Sequence, residues 1–523
     1  MKNSKYFLLA ALGLMAVPAL AQETYQDTKL AENGLTGTAR YIGMGGAMEA
    51  LGADISTIST NPAGVGLFRK SQVSLSAGVV AQTDAETSVE FNNAKIGFKG
   101  NKSRPSFDQV GIVWSAAKSA NGNYLNLAFN YHKSTNFNQI LTAANYLNGA
   151  SQSKLTSAKY EMAKQSKDYA DMIWTAVDAN YQSMTLSPET NSLSYYDGKS
   201  FIYGQYQKGY IGEYDFNISG SLSNRVWLGL TIGIHDVNYQ SNSMYSENLE
   251  ADATASSTSW ETLKIDGTGF DVKAGVIFRP VADSPFRIGA YVNSPVYYDL
   301  KMKGVSDLQL VDGDKKGDNS NGSNYDYRLN TPWKAGVSLG HTVGNYLALG
   351  ATYEYAWYDH MDNRIKDGGY YDAWYGDYYE TSSSDEYMND HTREVLKGVS
   401  TLKVGLEYKP ISMVAIRLGY NYVSPMFDEN GFRDQSIASP GTAYATSSDY
   451  TNWKATNRIT AGVGFNYQNW AFDVAYLYSA QKGDFYPFMS YYDKDDSKYD
   501  CVAPATEVKN NRHQVLMTLS YKF

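Results

Sequence analysis

Residues 34–68 read GLTGTARYIGMGGAMEALGADISTISTNPAGVGLF, a compact stretch in which glycine and other small residues are frequent. Glycine lets the backbone take left-handed turns and approach a neighbouring surface closely. The chain after this stretch alternates apolar and polar residues in short runs, which is the pattern of β-strands. A compact segment followed by a long strand-forming region predicts a plug inside the closed wall of a β-barrel.

The first 21 residues carry the pattern of a cleaved secretory signal. Lys2 and Lys5 precede an apolar run, and Ala19-Leu20-Ala21 supplies small residues at the cleavage position. The run is shorter than the about 20 residues that a membrane-spanning helix needs. We therefore predict a signal peptide over 1–21, cleaved near Ala21, an N-terminal hatch over 22–70 and a transmembrane β-barrel over 71–523.

Composition narrows the class of protein. The 523 residues include 45 Tyr, 45 Gly and one Cys, so tight turns and aromatic girdles are expected and disulfides are not. A mean hydropathy of -0.43 excludes a helical membrane protein but suits a barrel with a wet lumen and wet loops. The net charge of -9 comes without a basic cluster, which argues against a nucleic-acid partner.

The last strand shows the alternation best. Val515, Met517 and Leu519 share one face, while Gln514 and Thr518 share the other. Fourteen runs have this pattern, near 71–83, 106–118, 123–133, 207–222, 225–241, 256–280, 285–303, 326–341, 345–360, 395–410, 412–425, 453–467, 470–485 and 509–523. A further alternating piece, 89–98, would make the count odd and is assigned to the first long loop.

These runs predict an all-β protein, a 14-stranded antiparallel transmembrane β-barrel whose lumen is plugged by the short N-terminal hatch. The connections alternate between short turns and long polar loops, as in outer-membrane barrels. One long loop, 134–206, carries helical patterning from Leu155 to Tyr181 and is expected to be partly helical and extracellular. A soluble β-sandwich also alternates, but its strands are shorter and need no aromatic girdle.

The hatch sequence, from Gly34-Leu35 through Gly43–Ala47 to Asn61-Pro62-Ala63-Gly64, resembles the hatch of the FadL/TodX-type outer-membrane transporters of long-chain fatty acids and other hydrophobic compounds. The resemblance covers nearly the whole mature chain. Tyr291–Pro295 and Gly419–Pro425 are weaker matches, similar to family strands with Ser-Pro near their outer ends. A proline inside a strand removes a ladder donor, so each should mark a bulge or a strand end.

The resemblance implies passive uptake of a hydrophobic small molecule, such as a long-chain fatty acid, across the outer membrane of a Gram-negative bacterium. The expected partners are that substrate, outer-membrane lipids and lipopolysaccharide, and the barrel assembly machinery, which would recognise the C-terminal strand ending at Phe523. We expect a monomer with no cofactor and no bound metal.

The candidate hatch and gating residues combine small residues with one rigid motif. Pro62 fixes its own φ and biases Asn61 away from helix, whereas the glycines allow close contact with the wall. An ordinary turn before the first strand is the alternative interpretation of this motif. The full set is Gly43, Gly45, Gly46, Asn61, Pro62, Ala63, Gly64 and Phe68.

An acyl carboxylate in a low-dielectric lumen needs a charged or donor partner. The strand phase turns five basic side chains inward as candidates for the ligand head-group: Arg417, Lys273, Arg287, Lys403 and Arg458. The alternative for any one of them is an ion pair within the wall, with inward acids such as Glu407 or Asp473.

By resemblance, the substrate leaves sideways through a kink in the third strand. The third predicted strand, 123–133, contains no Gly or Pro to mark such a kink. We name Asn126 and Ala128 as the candidate gate wall and expect Asn61–Gly64 to lie against them.

One other function remains open to the sequence. A haem or hemin receptor is the alternative function, with Tyr and His as iron ligands, but the six His show no pairing pattern, and the about 49 residues before the first strand are few for an energised receptor's plug. An enzyme is not expected, because the one G-x-S-x-G match, Gly336–Gly340, lies inside an alternating strand rather than a strand-turn-helix.

Overall fold

The computed structural model describes most of the chain after the predicted signal peptide. The described residues are 23–32, 34–119, 123–165, 174–250, 255–312, 315–434, 436–437, 439–491 and 500–523. The predicted signal peptide, 1–21, lies outside them. Among the described residues no helix has the length and apolarity needed to span a membrane.

Fourteen antiparallel strands close into a barrel, which confirms the predicted fold. Closure is made by β1 and β14, which pair from Gln72 opposite Lys522 to Gln82 opposite Arg512. The strands are β1 Gln72–Gln82, β2 Ser103–Lys118, β3 Tyr124–Asn136 with Gln139–Tyr146, β4 Gly198–Leu222, β5 Val226–Leu249, β6 Ser256–Phe278, β7 Arg287–Asn293 with Tyr297–Asp312, β8 Lys315–Asn330 with Lys334–Val343, β9 Leu347–Ala356 with Asp362–Asp372, β10 Val399–Ile411, β11 Val414–Val423, β12 Tyr450–Tyr467, β13 Trp470–Tyr486 and β14 Thr506–Lys509 with Arg512–Lys522.

Strand interruptions follow proline, as expected from its missing N–H. β7 breaks around Pro295 and β11 ends at Val423, two residues before Pro425, so both Ser-Pro predictions are confirmed. β8 also breaks, around Pro332, which the sequence analysis did not anticipate. The piece assigned to the first long loop is a hairpin there, Ser88–Phe91 paired with Ala94–Gly97.

An apolar belt surrounds the barrel on its outer face. On β5 it consists of Leu228, Leu230, Ile232 and Ile234, whose exposed fractions lie between 43% and 50%. Beyond Ile234 the next four outward residues of β5, from Asp236 to Asn242, are polar. A strand of 24 residues is about 80 Å long, whereas the apolar band of a membrane barrel is about 25 Å tall. The end of the barrel with the long loops therefore extends well beyond the bilayer.

Helices are confined to the plug region and the long loops. They are α1 Thr24–Ala31, α2 Ala39–Gly43, α3 Gln152–Gln165, α4 Ala176–Thr185, α5 Glu386–Val395 and α6 Pro440–Tyr444, with 3-10 turns at Ile55–Ser59, Pro62–Leu67 and Tyr358–His360. The loop between β3 and β4 carries α3 and α4, so the prediction of a partly helical loop is confirmed. Asn180 on α4 donates to the Ser306 carbonyl on β7, so this loop reaches across the mouth of the barrel.

Glu247 joins this helical loop to the extended part of β5. Its carboxylate accepts hydrogen bonds from the hydroxyls of Tyr181 on α4, at 3.2 Å, and Tyr245, at 2.8 Å, and from the backbone N–H of Gln152, at 3.3 Å. The residue is fully buried, and this burial raises the pKa of Glu247 to about 7. The protonated carboxyl is therefore the form that the docked loop favours.

The docking of α3 and α4 should weaken as the pH rises. Because the pKa of Glu247 is higher in the folded protein than in the unfolded chain, its contribution to stability is full below about pH 4.5 and declines up to about pH 7. The loss is on the order of 3 kcal/mol, at about 1.4 kcal/mol per pKa unit. Hydrogen–deuterium exchange of α3 and α4, corrected for intrinsic rates, should increase between about pH 5 and about pH 8.

Glu247→Gln should remove most of this pH dependence, because the amide does not titrate. Glu189→Gln is the matched control, since Glu189 is an exposed glutamate of the same loop. Equal pH dependence in Glu247→Gln and the wild type would contradict the assignment.

Candidate functional site

Residues 34–68, the main part of the N-terminal segment 22–70 predicted to be the hatch, lie inside the barrel with most of their side chains buried. From here on the name hatch refers to 34–68, without α1. Thr38 begins α2 by accepting a hydrogen bond from Tyr41 N–H, and Asp54 begins the first 3-10 turn in the same way. These side-chain caps satisfy backbone donors that no strand reaches. The hatch therefore folds as short capped turns rather than as sheet.

The Asn61-Pro62-Ala63-Gly64 motif begins the second 3-10 turn. Asn61 Oδ1 accepts a hydrogen bond from Ala63 N–H at 3.2 Å, and Pro62 occupies the first position of the turn, where no N–H is needed. A Cβ on Gly64 would lie 2.4 Å from Thr57 Oγ1, so a glycine is required there. Asn61 Nδ2 donates to the carbonyls of Glu49, at 3.2 Å, and Val276 on β6, at 3.4 Å.

Inward-facing glycines on nine strands give the hatch its room, and we call them the glycine belt. A Cβ on Gly350 would lie 1.9 Å from the Ala47 carbonyl oxygen, and one on Gly405 would lie 2.1 Å from that of Met44. The hatch therefore lies backbone against backbone along much of the wall. The belt consists of Gly111, Gly229, Gly275, Gly289, Gly340, Gly350, Gly405, Gly419 and Gly462.

The predicted hatch glycines meet this belt from the inside. A Cβ on Gly43 would lie 3.3 Å from the Cα of Gly462, and one on Gly45 would lie 2.8 Å from the backbone nitrogen of Tyr420. Gly45 and Gly46 have φ values of 64° and 81°, in the left-handed region that favours glycine. Contact and backbone conformation both require these residues to be small.

Two charged hatch residues, which the sequence analysis missed, connect the hatch to β10. Glu49 Oε1 accepts a hydrogen bond from Lys403 Nζ at 2.9 Å, and Arg40 Nε lies 3.1 Å from Glu407 Oε2. Within 34–68 the charged residues are Arg40, Glu49 and Asp54. Because a charge in a buried segment needs a partner, this scarcity was the signal that could have identified them.

Four of the five head-group candidates are engaged within the protein. Arg417 pairs with Glu407 and Asp473, both at 2.6 Å, which is the wall ion pair that the sequence left open. Arg287 donates to the carbonyl of Leu51 at 2.8 Å. Lys403 is held by Glu49 as described, and Lys273 is surrounded by the carboxylates of Glu213, Asp215 and Asp271.

Arg458 differs from the other four candidates. It donates to Asn421 Oδ1 at 3.0 Å, and no ion pair to it is found among the residues that the structure describes. Arg512, which the sequence analysis did not name, is bound to the Asn510 side chain and the Asn136 carbonyl. Arg458 and Arg512 are both directly opposite Ser479 on β13, from β12 and β14 respectively. The two arginines therefore lie about 10 Å apart in one row of the wall.

Two connected cavities lie between the hatch, α1 and the wall. The first has a volume of about 220 Å³ and is lined by both arginines, by Ser479, and by apolar residues that include Leu35, Phe137, Tyr239, Met426, Phe427 and Trp453. The second, of about 130 Å³, shares Arg458 with the first and reaches the polar wall of β3 to β6. The lining of the first cavity is therefore mixed, because apolar side chains and the two arginines share it with acids that include Glu32.

β2 and β3 separate towards the long-loop end of the barrel. Their last pair is Gln109 opposite His132. Beyond it, β2 continues to Ser103 beside β1, whereas β3 ends at Asn136 and resumes at Gln139 beside β4. The register shifts on both strands at this level, as it does at β-bulges. The third strand is thus interrupted without any glycine or proline.

The separation opens a gap in the wall beside the first cavity. Asp108 on β2 and Lys133 on β3 face each other across the gap, and both line the cavity. Side chains bridge it: Lys133 Nζ donates to Ser106 Oγ at 3.3 Å, and the rings of Phe107 on β2 and Tyr131 on β3 stack with centroids 6.0 Å apart. The backbones of β2 and β3 are therefore unpaired beside the first cavity, and Phe107 of the outer apolar belt lies at this level.

The candidate gate wall contacts the hatch at a different place from the one expected. Asn126 Nδ2 donates to the carbonyls of Val65, at 2.8 Å, and Phe68, at 3.1 Å, and Ala128 packs in one apolar cluster with both. Asn61 lies against β6 and β7 instead. The expected contact between Asn61 and Asn126 is not made, because the 3-10 turn after Asn61 carries the chain across to β3.

Comparison with known proteins finds similarity at the level of structure. No protein-family model matches the chain, and no curated protein sequence matches it. The Ralstonia pickettii toluene transporter TbuX has 12% identity and a TM-score of 0.49, over 94% of this chain and 99% of that one. A Pseudomonas aeruginosa FadL homologue has 14% identity and a TM-score of 0.48, over 97% and 100% of the two chains.

The Pseudomonas putida toluene transporter TodX gives a similar result, with 12% identity and a TM-score of 0.46 over 94% of this chain and 100% of that one.

Adding a methyl group to the glycine belt should loosen the hatch. In Gly350→Ala the new Cβ would overlap the Ala47 carbonyl, and such overpacking typically costs about 1–3 kcal/mol. We expect faster hydrogen–deuterium exchange across 43–52 and a lower temperature for heat-modifiable gel migration. Gly97→Ala is the matched control, because the nearest atom to its Cβ is 3.9 Å away. Unchanged exchange in Gly350→Ala would show that the hatch does not bear on this strand.

Proposed function

We propose that this protein is a FadL/TodX-type channel of the outer membrane, through which a hydrophobic small molecule with an anionic head-group enters passively. In this proposal residues 1–21 direct export, the C-terminal strand is recognised by the barrel assembly machinery, and the protein acts as a monomer. The outer apolar belt and the closed barrel support a membrane-spanning role. The observation that carries the proposal is the pair Arg458 and Arg512, which we call the arginine row, on the wall of the first cavity.

The anionic head-group is inferred from charge. A buried guanidinium without a carboxylate partner is costly, and the other inward cations of the candidate set are either paired or bound to backbone. Arg458 and Arg512 flank the Ser479 hydroxyl on the cavity wall. A carboxylate placed there would receive charge-assisted hydrogen bonds from both sides. A long-chain fatty acid has this chemistry.

The size of the first cavity limits how the ligand lies. Ligand pockets usually measure about 300–1,000 Å³, whereas this one measures about 220 Å³. It accommodates a compact molecule or part of an alkyl chain. The rest of a longer chain would extend into the gap between β2 and β3, which adjoins the same cavity.

The hatch and the gap suggest the route. The hatch blocks the straight path, held by Glu49 and Arg40 on β10 and by Asn126 on β3. The gap beside the cavity leads towards the apolar belt, so a substrate that leaves there avoids crossing water. We propose that movement of 61–68 at β3 accompanies this exit.

The haem alternative is less well supported. In the described part of the chain, the lining of the first cavity includes no histidine. Tyr25, Tyr239 and Tyr450 do line it, but two arginines favour an acid as the ligand over an iron centre.

Removing either arginine should weaken the binding of a fatty acid. A hydrogen bond to a charged group is worth about 1.5–3 kcal/mol, so Arg458→Gln and Arg512→Gln should each raise the Kd by about tenfold or more. Binding of a radiolabelled long-chain fatty acid to the purified, detergent-solubilised protein measures the change. The corresponding fatty alcohol should bind both variants as it binds the wild type, because it carries no charge.

Arg225→Gln is the matched control, since Arg225, in the short turn between β4 and β5, donates to the carbonyls of Arg279 and Pro280 just after β6, away from the cavities. If both cavity variants bound the acid with wild-type affinity, the arginine row would not be the head-group site.

Closing the gap between β2 and β3 should block uptake but not binding. Cysteines at Ser106 and Lys133, in a Cys501→Ser background, place one thiol on each side of the gap, where a bismaleimide can join them. We expect uptake of labelled fatty acid into cells to fall on cross-linking while binding to the purified barrel persists.

The control joins Trp114 and Leu127 through the same reagent, because these residues are already directly opposite on the paired part of β2 and β3. Undiminished uptake after complete cross-linking of Ser106→Cys with Lys133→Cys would rule out the gap as the exit.

A further inference from the structure

A cluster of charged side chains in the lumen wall is not used by the proposed uptake. His132 on β3, Glu213 on β4 and His235 on β5 are directly opposite one another along one row of the sheet. Asp215 and Asp271 lie in the adjacent row, with Lys273 beside them. All six side chains are at most 4% exposed.

Gly233 makes this convergence possible. A Cβ at this position would lie 2.3 Å from Asp271 Oδ1, 2.7 Å from Lys273 Nζ and 3.3 Å from Asp215 Oδ1. The three side chains therefore occupy the space that any other residue would fill. The absence of a side chain at Gly233 thus lets these charged side chains come together in the wall.

The charges of this cluster do not balance. Lys273 Nζ contacts Glu213 Oε1 at 2.7 Å, Asp215 Oδ1 at 3.1 Å and Asp271 Oδ1 at 2.7 Å. Among the described residues it is the one ammonium within ion-pair distance of these three carboxylates, so ionisation of all three beside neutral imidazoles would leave two negative charges for a proton or a cation to neutralise. Unpaired buried charge is strongly unfavourable. A divalent cation would supply the missing charge.

The second carboxylate oxygens and one histidine are free to bind such a cation. His235 has no hydrogen-bond partner on either ring nitrogen, although it is 4% exposed. Its Nε2 lies 3.4 Å from Asp271 Oδ2, and its Nδ1 lies 4.0 Å from Glu213 Oε2. The ligand atoms of the three residues all lie within 4.8 Å of one another. Lys273 Nζ contacts the other oxygen of each carboxylate, Oε1 of Glu213 and Oδ1 of Asp271.

The 3.4 Å between His235 Nε2 and Asp271 Oδ2 matches the spacing of two ligands on one transition-metal ion, whereas the 4.0 Å to Glu213 Oε2 is measured from the other ring nitrogen, which the same ion would not use. Two ligands held at about 2.0–2.1 Å from a tetrahedral zinc ion are about 3.4 Å apart. A donor set of one imidazole and two carboxylates suits Zn²⁺ rather than Ca²⁺ or Mg²⁺, which prefer oxygen alone. Glu213, His235 and Asp271 all line the second cavity, so the fourth coordination position would face that space.

We propose that Glu213, His235 and Asp271 form a binding site for a divalent transition-metal ion, with Zn²⁺ as its representative. His132 is not among the three ligands of this assignment, because its Nδ1 contacts Asn130 Nδ2 at 3.4 Å, whereas neither ring nitrogen of His235 has a hydrogen-bond partner. The three residues do not contact Arg458 or Arg512. A test of this site is therefore independent of a test of the proposed uptake.

The test is a titration of the full-length, detergent-solubilised protein with Zn²⁺ after treatment with a chelator. Isothermal titration calorimetry should show one ion bound per chain. His235→Gln and Asp271→Asn should each weaken binding by at least about tenfold, since even residues that only support a ligand contribute that much. His132→Gln, the matched control from the same row, should bind as the wild type does.

Three results would overturn the assignment: no stoichiometric binding by the wild type, equal binding by His235→Gln, or proton uptake without metal binding. If the variants do not fold, as judged by heat-modifiable migration, Co²⁺ added to the wild type decides. The visible absorption of tetrahedral Co²⁺ supports the site, and the spectrum of the aqueous ion overturns it.

Discussion

The structure depends on one requirement, which is that every backbone N–H and C=O inside the bilayer must be hydrogen-bonded within the protein. A sheet meets it only by closing on itself, and here the closing pair joins the first strand to the last. Closure fixes which side chains face lipid and which face the lumen on all fourteen strands. The outer apolar belt, the inward-facing charges and the space for the hatch all follow from the strand register that this closure fixes.

Within the closed wall, two kinds of contact hold the hatch. Bare backbone on nine strands allows close packing, and a few buried charges fix the position of the segment. Buried ion pairs lose much of their Coulombic gain to desolvation, so they specify position more than they add stability. Glu49 and Arg40 act in this way, since each meets a partner on β10. Arg458 and Arg512, for which the described residues include no ion pair, both line the first cavity.

The sequence predicts the strands well because alternation is a local property. β14, β13 and β11 lie where their apolar residues place them, and Pro295 and Pro425 mark the breaks that a missing N–H requires. The course of the hatch was not predictable in the same way. Its turns carry no periodicity, so nothing local showed that Asn61 would meet β6 while Val65 and Phe68 meet Asn126. The pairing of His132 and His235 with Glu213 needed the register of three strands, since the residues are far apart in the chain. Arg512 shares the inward phase of Gln514 and Thr518, so the alternation of the last strand already places it on the lumen face beside Arg458.

The glycine belt has a consequence for biogenesis. Its glycines are distributed over strands from β2 to β12, and the hatch touches backbone on all of them, so a finished wall leaves no passage through which the segment could be threaded afterwards. The hatch precedes every strand in the chain, whereas the closing strand is the last to be made. The wall must therefore curl around a segment that is already in place. The strands close around the hatch, so the circumference of the barrel is matched to the hatch from the start.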